Sequence, residues 1–122
     1  LKRDPQNGSY MVRVGRFIEA DPELANRSVE DLDTMGIDGI TVIERLLLEL
    51  GQAVSGRERL DQERSTLCCG SRIKTDRDEH PLIPVICFGD DYGSDNDIIC
   101  CTLADQEYRK HCLSARAVHP VV

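Results

Sequence analysis

Six cysteines fall between Cys68 and Cys112, and four of them form the adjacent pairs Cys68-Cys69 and Cys100-Cys101, with Cys87 between the pairs. Neighbouring residues of a β-strand point to opposite faces of a sheet, so a cysteine pair on a strand addresses both sides of one sheet. Two ligands of a tetrahedral zinc ion must converge, which C-x₂₋₄-C spacing permits and direct adjacency does not. No metal is therefore expected. A nucleophilic thiol needs a base beside it and a lowered pKa. His80 and His119 each precede a proline, and His111 adjoins Cys112 without forming a recognisable catalytic motif. What remains is a structural role: disulfides among Cys68, Cys69, Cys87, Cys100, Cys101 and Cys112, with neither adjacent pair bonded within itself. One member of each pair is expected to tie toward a helical layer, Cys112 to bond an inward-facing strand cysteine, and Cys87 to bond across the sheet or to a loop.

The chain has 122 residues, which the usual length prior reads as a single domain, 1–122. It contains no Trp, two Phe and three Tyr, so its core must rest on Leu, Ile, Val and Cys. A formal charge of −7 argues against nucleic acid as a partner, because phosphate binding needs a basic face. No apolar run approaches the roughly 18–20 residues that cross a bilayer. Three features point to a secreted protein. The cysteine number is even and dense. The sequons Asn7-Gly8-Ser9 and Asn26-Arg27-Ser28 make Asn7 and Asn26 candidate glycosylation sites. Lys2-Arg3 before Asp4 is a dibasic pair where a secretory-pathway protease would cut, and a chain opening on Leu1 reads as a processed or trimmed product.

Alternation of Tyr10, Val12 and Val14 with Met11, Arg13 and Gly15 predicts a first strand over 9–17. Asp21 before Pro22, then Ser28 with Asp31 three residues on and Gly36 as a stop, predict two short helical turns or one broken helix. The strongest periodicity follows: Ile40, Ile43, Leu47, Leu50 and Val54 recur at spacings of three and four. Thr41 and Glu44 have capping-box spacing there, with Asp38 as an alternative cap. Val42, Leu46 and Leu48 widen the apolar arc, so this helix is expected to be largely buried. Residues 57–64 are charged and predict an exposed connector. "TLCCGSRIK", "LIPVICF" and "DIICCTL" predict three antiparallel strands joined by polar turns, with Pro84 placing the middle run at an edge or delaying its start. "ADQEYRKHCLSA" predicts a helix carrying Tyr108 and Cys112 inward, and "AVHPVV" a last strand. The resulting order, β-α-α-β-β-β-α-β, is α+β: an antiparallel sheet with helices packed on one face, an α/β sandwich stapled by disulfides.

Asp90, Asp91, Asp95 and Asp97 in "GDDYGSDND" supply hard oxygen ligands, but the spacing departs from an EF-hand loop, and a solvated turn is the expectation. "MGIDGITVIERLLLEL" resembles the stretch of acyl carrier proteins in which an Asp-Ser-Leu triplet opens a helix. Gly39 stands where that family carries its phosphopantetheine serine, so the likeness is one of helix opening alone. The dibasic start, small acidic body and six cysteines on an α/β sandwich are similar to the virally encoded killer toxins that smut fungi secrete. That resemblance implies cutting at dibasic sites, a sheet with helices on one side, and killing of competing fungal cells at their surface.

The expectation is thus a secreted antifungal killer toxin or cytotoxic effector, with no catalytic activity and no cofactor. It would bind a target cell envelope or a membrane protein, with Asp90, Asp91, Asp95 and Asp97 or the connector 57–64 as contact surface. The alternative is a small acidic intracellular binding module, such as a bacterial immunity protein that neutralises a basic toxin.

Overall fold

The computed structural model describes residues 3–15, 18–62, 64–74, 76, 80–88, 99–110 and 112–120, apart from the side chains of Pro5, Phe88 and Pro120. Lys2, His111 and the Asp-rich loop with Asp90, Asp91, Asp95 and Asp97 lie outside the described residues.

Eight principal elements follow in chain order: β1 (Val12–Val14), α1 (Val29–Thr34), α2 (Val42–Val54), β2 (Ser65–Leu67), β3 (Ile83–Phe88), β4 (Ile99–Ala104), β5 (Leu113–Ala115) and β6 (Val118–Pro120), with 3₁₀ turns at Pro5–Asn7 and Pro22–Leu24. The class is α+β. β1 and β6 form an antiparallel ribbon, Val12 opposite Pro120 and Val14 opposite Val118. The larger sheet has the order β4-β3-β2-β5. Its β2–β3 and β3–β4 pairings are antiparallel, as the short connections predicted, whereas β2 and β5 run parallel. The sheet is therefore mixed.

Both helices start as their sequences predict. Ser28 accepts from the Asp31 N–H at 3.2 Å while the Asp31 carboxylate accepts from the Ser28 N–H at 2.9 Å. Thr41 and Glu44 repeat the exchange at 3.1 and 2.9 Å. Each box satisfies two N–H groups that a helix start leaves without intrahelical partners. Gly36, just after α1, has φ +72°, the left-handed geometry that glycine adopts without a Cβ penalty.

Strand alternation divides the core. Leu67 is opposite both Val85 and Ala115, and this face is covered by Leu24 of the 3₁₀ turn with Val29 and Leu32 of α1. Thr66 and Ile86 face the other way, toward Ile40, Val118 and the flank of α2 at Val42 and Leu48. The helices thus lie on opposite faces of the sheet, where a single helical layer was expected.

Four further expectations are corrected. Among the described residues from Asp105 to Cys112, no helix forms. The Asp105 carboxylate accepts from the Glu107 N–H at 2.9 Å, a local turn that competes with helix, and Leu113–Ala115 gains a strand partner in β2 instead. The connector 57–64 is not wholly exposed, since Leu60 and Asp61 are buried. Pro84 lies one residue inside the start of β3, which is central and not an edge strand. Its carbonyl accepts from the Cys68 N–H at 2.8 Å. Finally, all six cysteines are described and none is in a disulfide. The backbone separates most of them: Cys68 lies in the cluster beside α2, Cys69 in the cluster beside α1.

Candidate functional site

Helix α2 is turned inside out relative to its composition. Glu44, Arg45 and Glu49 are its buried residues, while Ile43, Leu46, Leu47, Leu50 and Val54 face solvent, Leu47 at 61% and Val54 at 79% exposure. The expectation of a largely buried apolar arc is thereby overturned. The cause is fixed upstream of the helix. The Ile40 N–H donates to the Arg116 carbonyl at 2.9 Å and the Val118 N–H to the Asp38 carbonyl at 2.8 Å, and the Val42 N–H donates to Ser71 Oγ at 2.9 Å. These bonds set the rotation of the first turn, and the 3.6-residue period then directs Arg45 and Glu49, one turn apart, at the sheet.

There they meet partners from distant parts of the chain. Arg45 donates to Asp61 Oδ2 from Nη2 at 2.8 Å and to Glu49 Oε2 from Nη1 at 3.2 Å. Arg116 donates to Asp61 Oδ1 at 2.7 Å, to Thr66 Oγ1 at 3.1 Å and to the Ile18 carbonyl at 2.6 Å. The Thr66 hydroxyl donates to Asp61 Oδ2. Glu49 also accepts from the Leu60 N–H at 3.1 Å and stands 3.3 Å from Arg59 Nε. Asp61 holds φ +55°, a left-handed position that its short polar side chain tolerates. Because the charges are paired and hydrogen-bonded, their desolvation is offset. The cluster has no open side for a substrate: it is a scaffold, and its consequence is the apolar face left outside.

At the helix start, Arg3 donates to Glu44 Oε2 at 2.8 Å, to Asp38 Oδ1 at 2.6 Å and to the Gly39 carbonyl at 2.6 Å. Burial works to raise the Glu44 carboxyl, but Arg3 and the Thr41 N–H more than offset it, so the group lies below the ordinary carboxylate value. Burial and the neighbouring Glu44 push the Tyr10 hydroxyl upward. Beside this corner, the 8–14 segment and α2 enclose an open groove of about 640 Å³, lined among others by Tyr10, Val12, Val14, Ile40, Ile43 and Leu47. Groove and exposed stripe are continuous through Ile43 and Leu47.

Ile43, Leu46, Leu47, Leu50 and Val54 are each between 43% and 79% exposed, and together they form a face on the order of the few hundred Å² of a large apolar surface patch. A monomer seldom leaves a larger apolar patch uncovered. Along α2 the exposed positions between Ile43 and Val54 carry no charge, since all three of its charged residues are buried.

Of the other candidate residues, Arg3 has its guanidinium engaged by the helix start. Asn7 is exposed, while Asn26 is half-buried with φ +58°, and Ser28 of its sequon is the buried cap of α1. Cys69 Sγ packs so closely on Gly39 that a Cβ there would lie 1.9 Å from it. Burial pushes the Cys68 thiol up to about 12 and the Cys69 thiol up to about 11, so neither is a nucleophile at neutral pH. Cys87 and Cys100 are half-buried, and Cys101 and Cys112 exposed. Among the described residues, no group of three or more His, Cys, Asp or Glu is placed to hold a metal ion, and no helix is long and apolar enough to cross a membrane.

The outward face is not legible from periodicity, because the helix's larger apolar stripe reads as the inward one. The available signal was Arg45 and Glu49 at i, i+4 on a second stripe with Val42 and Gln52. Comparison with protein-family models, with curated proteins and with solved structures finds no match.

Proposed function

We propose that this chain is a secreted effector of the killer-toxin kind that acts by binding at the surface of a target cell and performs no catalysis. One observation carries the reading: α2 holds its charged residues in the core and presents Ile43, Leu46, Leu47, Leu50 and Val54 outward beside an apolar groove. The contact surface therefore shifts from the Asp-rich loop and the connector 57–64 to α2 and β1. The occupant is an apolar segment of a cell-surface protein. A bare anionic lipid surface is disfavoured, because a chain of net charge −7 is repelled by it. Disulfide formation among the cysteines belongs to the same secreted reading.

The test is growth inhibition and cell binding across a panel of fungi, using the purified chain and the Leu47→Glu/Leu50→Glu variant. Inhibition or binding by the parent, lost in the variant with folding intact, supports the proposal. Absence of both activities in the parent overturns it. A parent that is a dimer in solution, becoming monomeric in the variant, also overturns it, because a second copy then occupies the face.

A second reading, an intracellular binding module that neutralises a basic toxin, is favoured by the separation of most cysteines in the fold, which suits thiols kept reduced. It uses the same surface on an acidic body. Intact mass before and after alkylation of protein from its native source separates the two, since the second requires six alkylated thiols without prior reduction.

A further inference from the structure

Cys87 of β3 and Cys100 of β4 are direct partners in the antiparallel register. Such partners have Cα atoms about 4.5–5.5 Å apart, inside the roughly 4.4–6.8 Å that a disulfide spans. The other cysteines lack this relationship. Cys68 follows β2 and binds the Pro84 carbonyl, while Cys101 is opposite Ile86 on the far side of β3. With a whole strand between them, the Cα atoms of Cys68 and Cys101 stand about 10 Å or more apart. Cys112 precedes β5, and its carbonyl accepts from the Ser65 N–H; continuing the β2–β3 register sets Ser65 beside Cys87, so β2 intervenes there as well. Cys69 is enclosed between Gly39 and the core cluster beside α1.

We propose that Cys87 and Cys100 form a thiol–disulfide site, the one cysteine pair that this backbone can bond without rearrangement. Its closure makes a covalent ring around residues 88–99, which include Asp90, Asp91, Asp95 and Asp97. The oxidant is a low-molecular-weight disulfide such as oxidised glutathione. One cysteine thiolate attacks a sulfur of the oxidant, giving a mixed disulfide and releasing one glutathione thiol. The second cysteine thiolate then displaces the other glutathione. The protein loses two protons and two electrons, and the oxidant takes up both as two thiols. Both residues are half-buried, so an oxidant reaches them, whereas Cys68 and Cys69 are closed off.

The site rests on strand register and not on the functional reading, so it stands or falls separately. The full chain is treated with oxidised glutathione, quenched by alkylation, and examined by intact mass and peptide mapping. The expected product has lost two hydrogens, joins the Cys87 and Cys100 peptides, and melts about 10 °C higher; Cys87→Ser and Cys100→Ser each abolish the cross-link. A major product linking any other pair, three cross-links, or no cross-link in the parent overturns the proposal. The parent's peptide map decides this even where a variant fails to fold.

Discussion

Arg45 Nη2 lies 2.8 Å from Asp61 Oδ2, with the two side chains 1% and 0% exposed. A carboxylate this deep survives only because Arg116 takes its second oxygen at 2.7 Å and Thr66 donates to the first. Removing Asp61 leaves two buried guanidinium groups without their shared counter-charge. Asp61→Ala is expected to cost about 3–5 kcal/mol, the range for breaking one side of a buried pair, measured as a lower urea midpoint at unchanged m. A cost under about 1 kcal/mol would show that the cluster is solvated.

The outward stripe of α2 predicts the opposite outcome for its apolar residues. Leu47→Glu and Leu50→Glu are each expected to change stability by no more than about 0.5 kcal/mol, as surface substitutions do. Were these leucines core residues, each change would cost several kcal/mol. Chemical denaturation of the two variants decides between an inverted and a conventional helix.

Gly39 is required by its neighbour. With Cys69 Sγ 1.9 Å from where its Cβ would stand, and the Gly70 N at 3.3 Å, Gly39→Ala is expected to destabilise by about 1–3 kcal/mol through overpacking. Cys69→Ala removes the closer obstacle, so the double variant should recover part of that loss. The double-mutant cycle reads the coupling, and simple additivity would refute the contact.

Stability should fall in alkali. The Cys68 and Cys69 thiols are raised to about 12 and 11 by burial, so the folded state holds protons that the unfolded chain releases near pH 8.5. The contribution is complete below that value and is lost as pH rises toward 11–12. The slope is up to about 1.4 kcal/mol per pH unit for each thiol. Denaturation midpoints of the parent and Cys68→Ala between pH 8 and 11 check this, the variant being expected to show the shallower decline.

At the acid end the sign reverses. Burial alone would raise the Glu44 carboxyl, yet Arg3 and Thr41 hold it below its ordinary value. Its stabilising contribution is therefore present above about pH 4.3 and lost as pH falls through the depressed folded value. Arg3→Ala should remove most of that acid dependence in midpoint measurements below pH 5.

Local chemistry was readable wherever neighbours in sequence are also neighbours in space. Ser28 with Asp31 and Thr41 with Glu44 announce their capping boxes, because every atom needed lies within one turn. The three middle strands and the last strand are announced by short β-forming runs between polar turns. The stretch after Ala104 misled because Asp105, Gln106 and Glu107 suit a helix start as well as the turn they form, and the parallel pairing with β2 that decides for a strand is not local.

The amino-acid order by itself determines that Val42–Val54 is a helix and where it begins; the opposite placement of Cys68 and Cys69, which lie just beyond β2, comes from the packing around them. The order does not determine which side of that helix is buried. Two stripes share the same 3.6-residue period, and the apolar one is the stronger pattern. Asp61 and Arg116, remote in sequence from Arg45, complete an ion cluster that only the folded chain assembles. Bonds from Ile40, Val42 and Val118 then lock the rotation that directs charge inward. Tertiary structure alone also sets Cys87 opposite Cys100 while a strand separates Cys68 from Cys101, because register between strands is fixed by pairing and not by order along the chain.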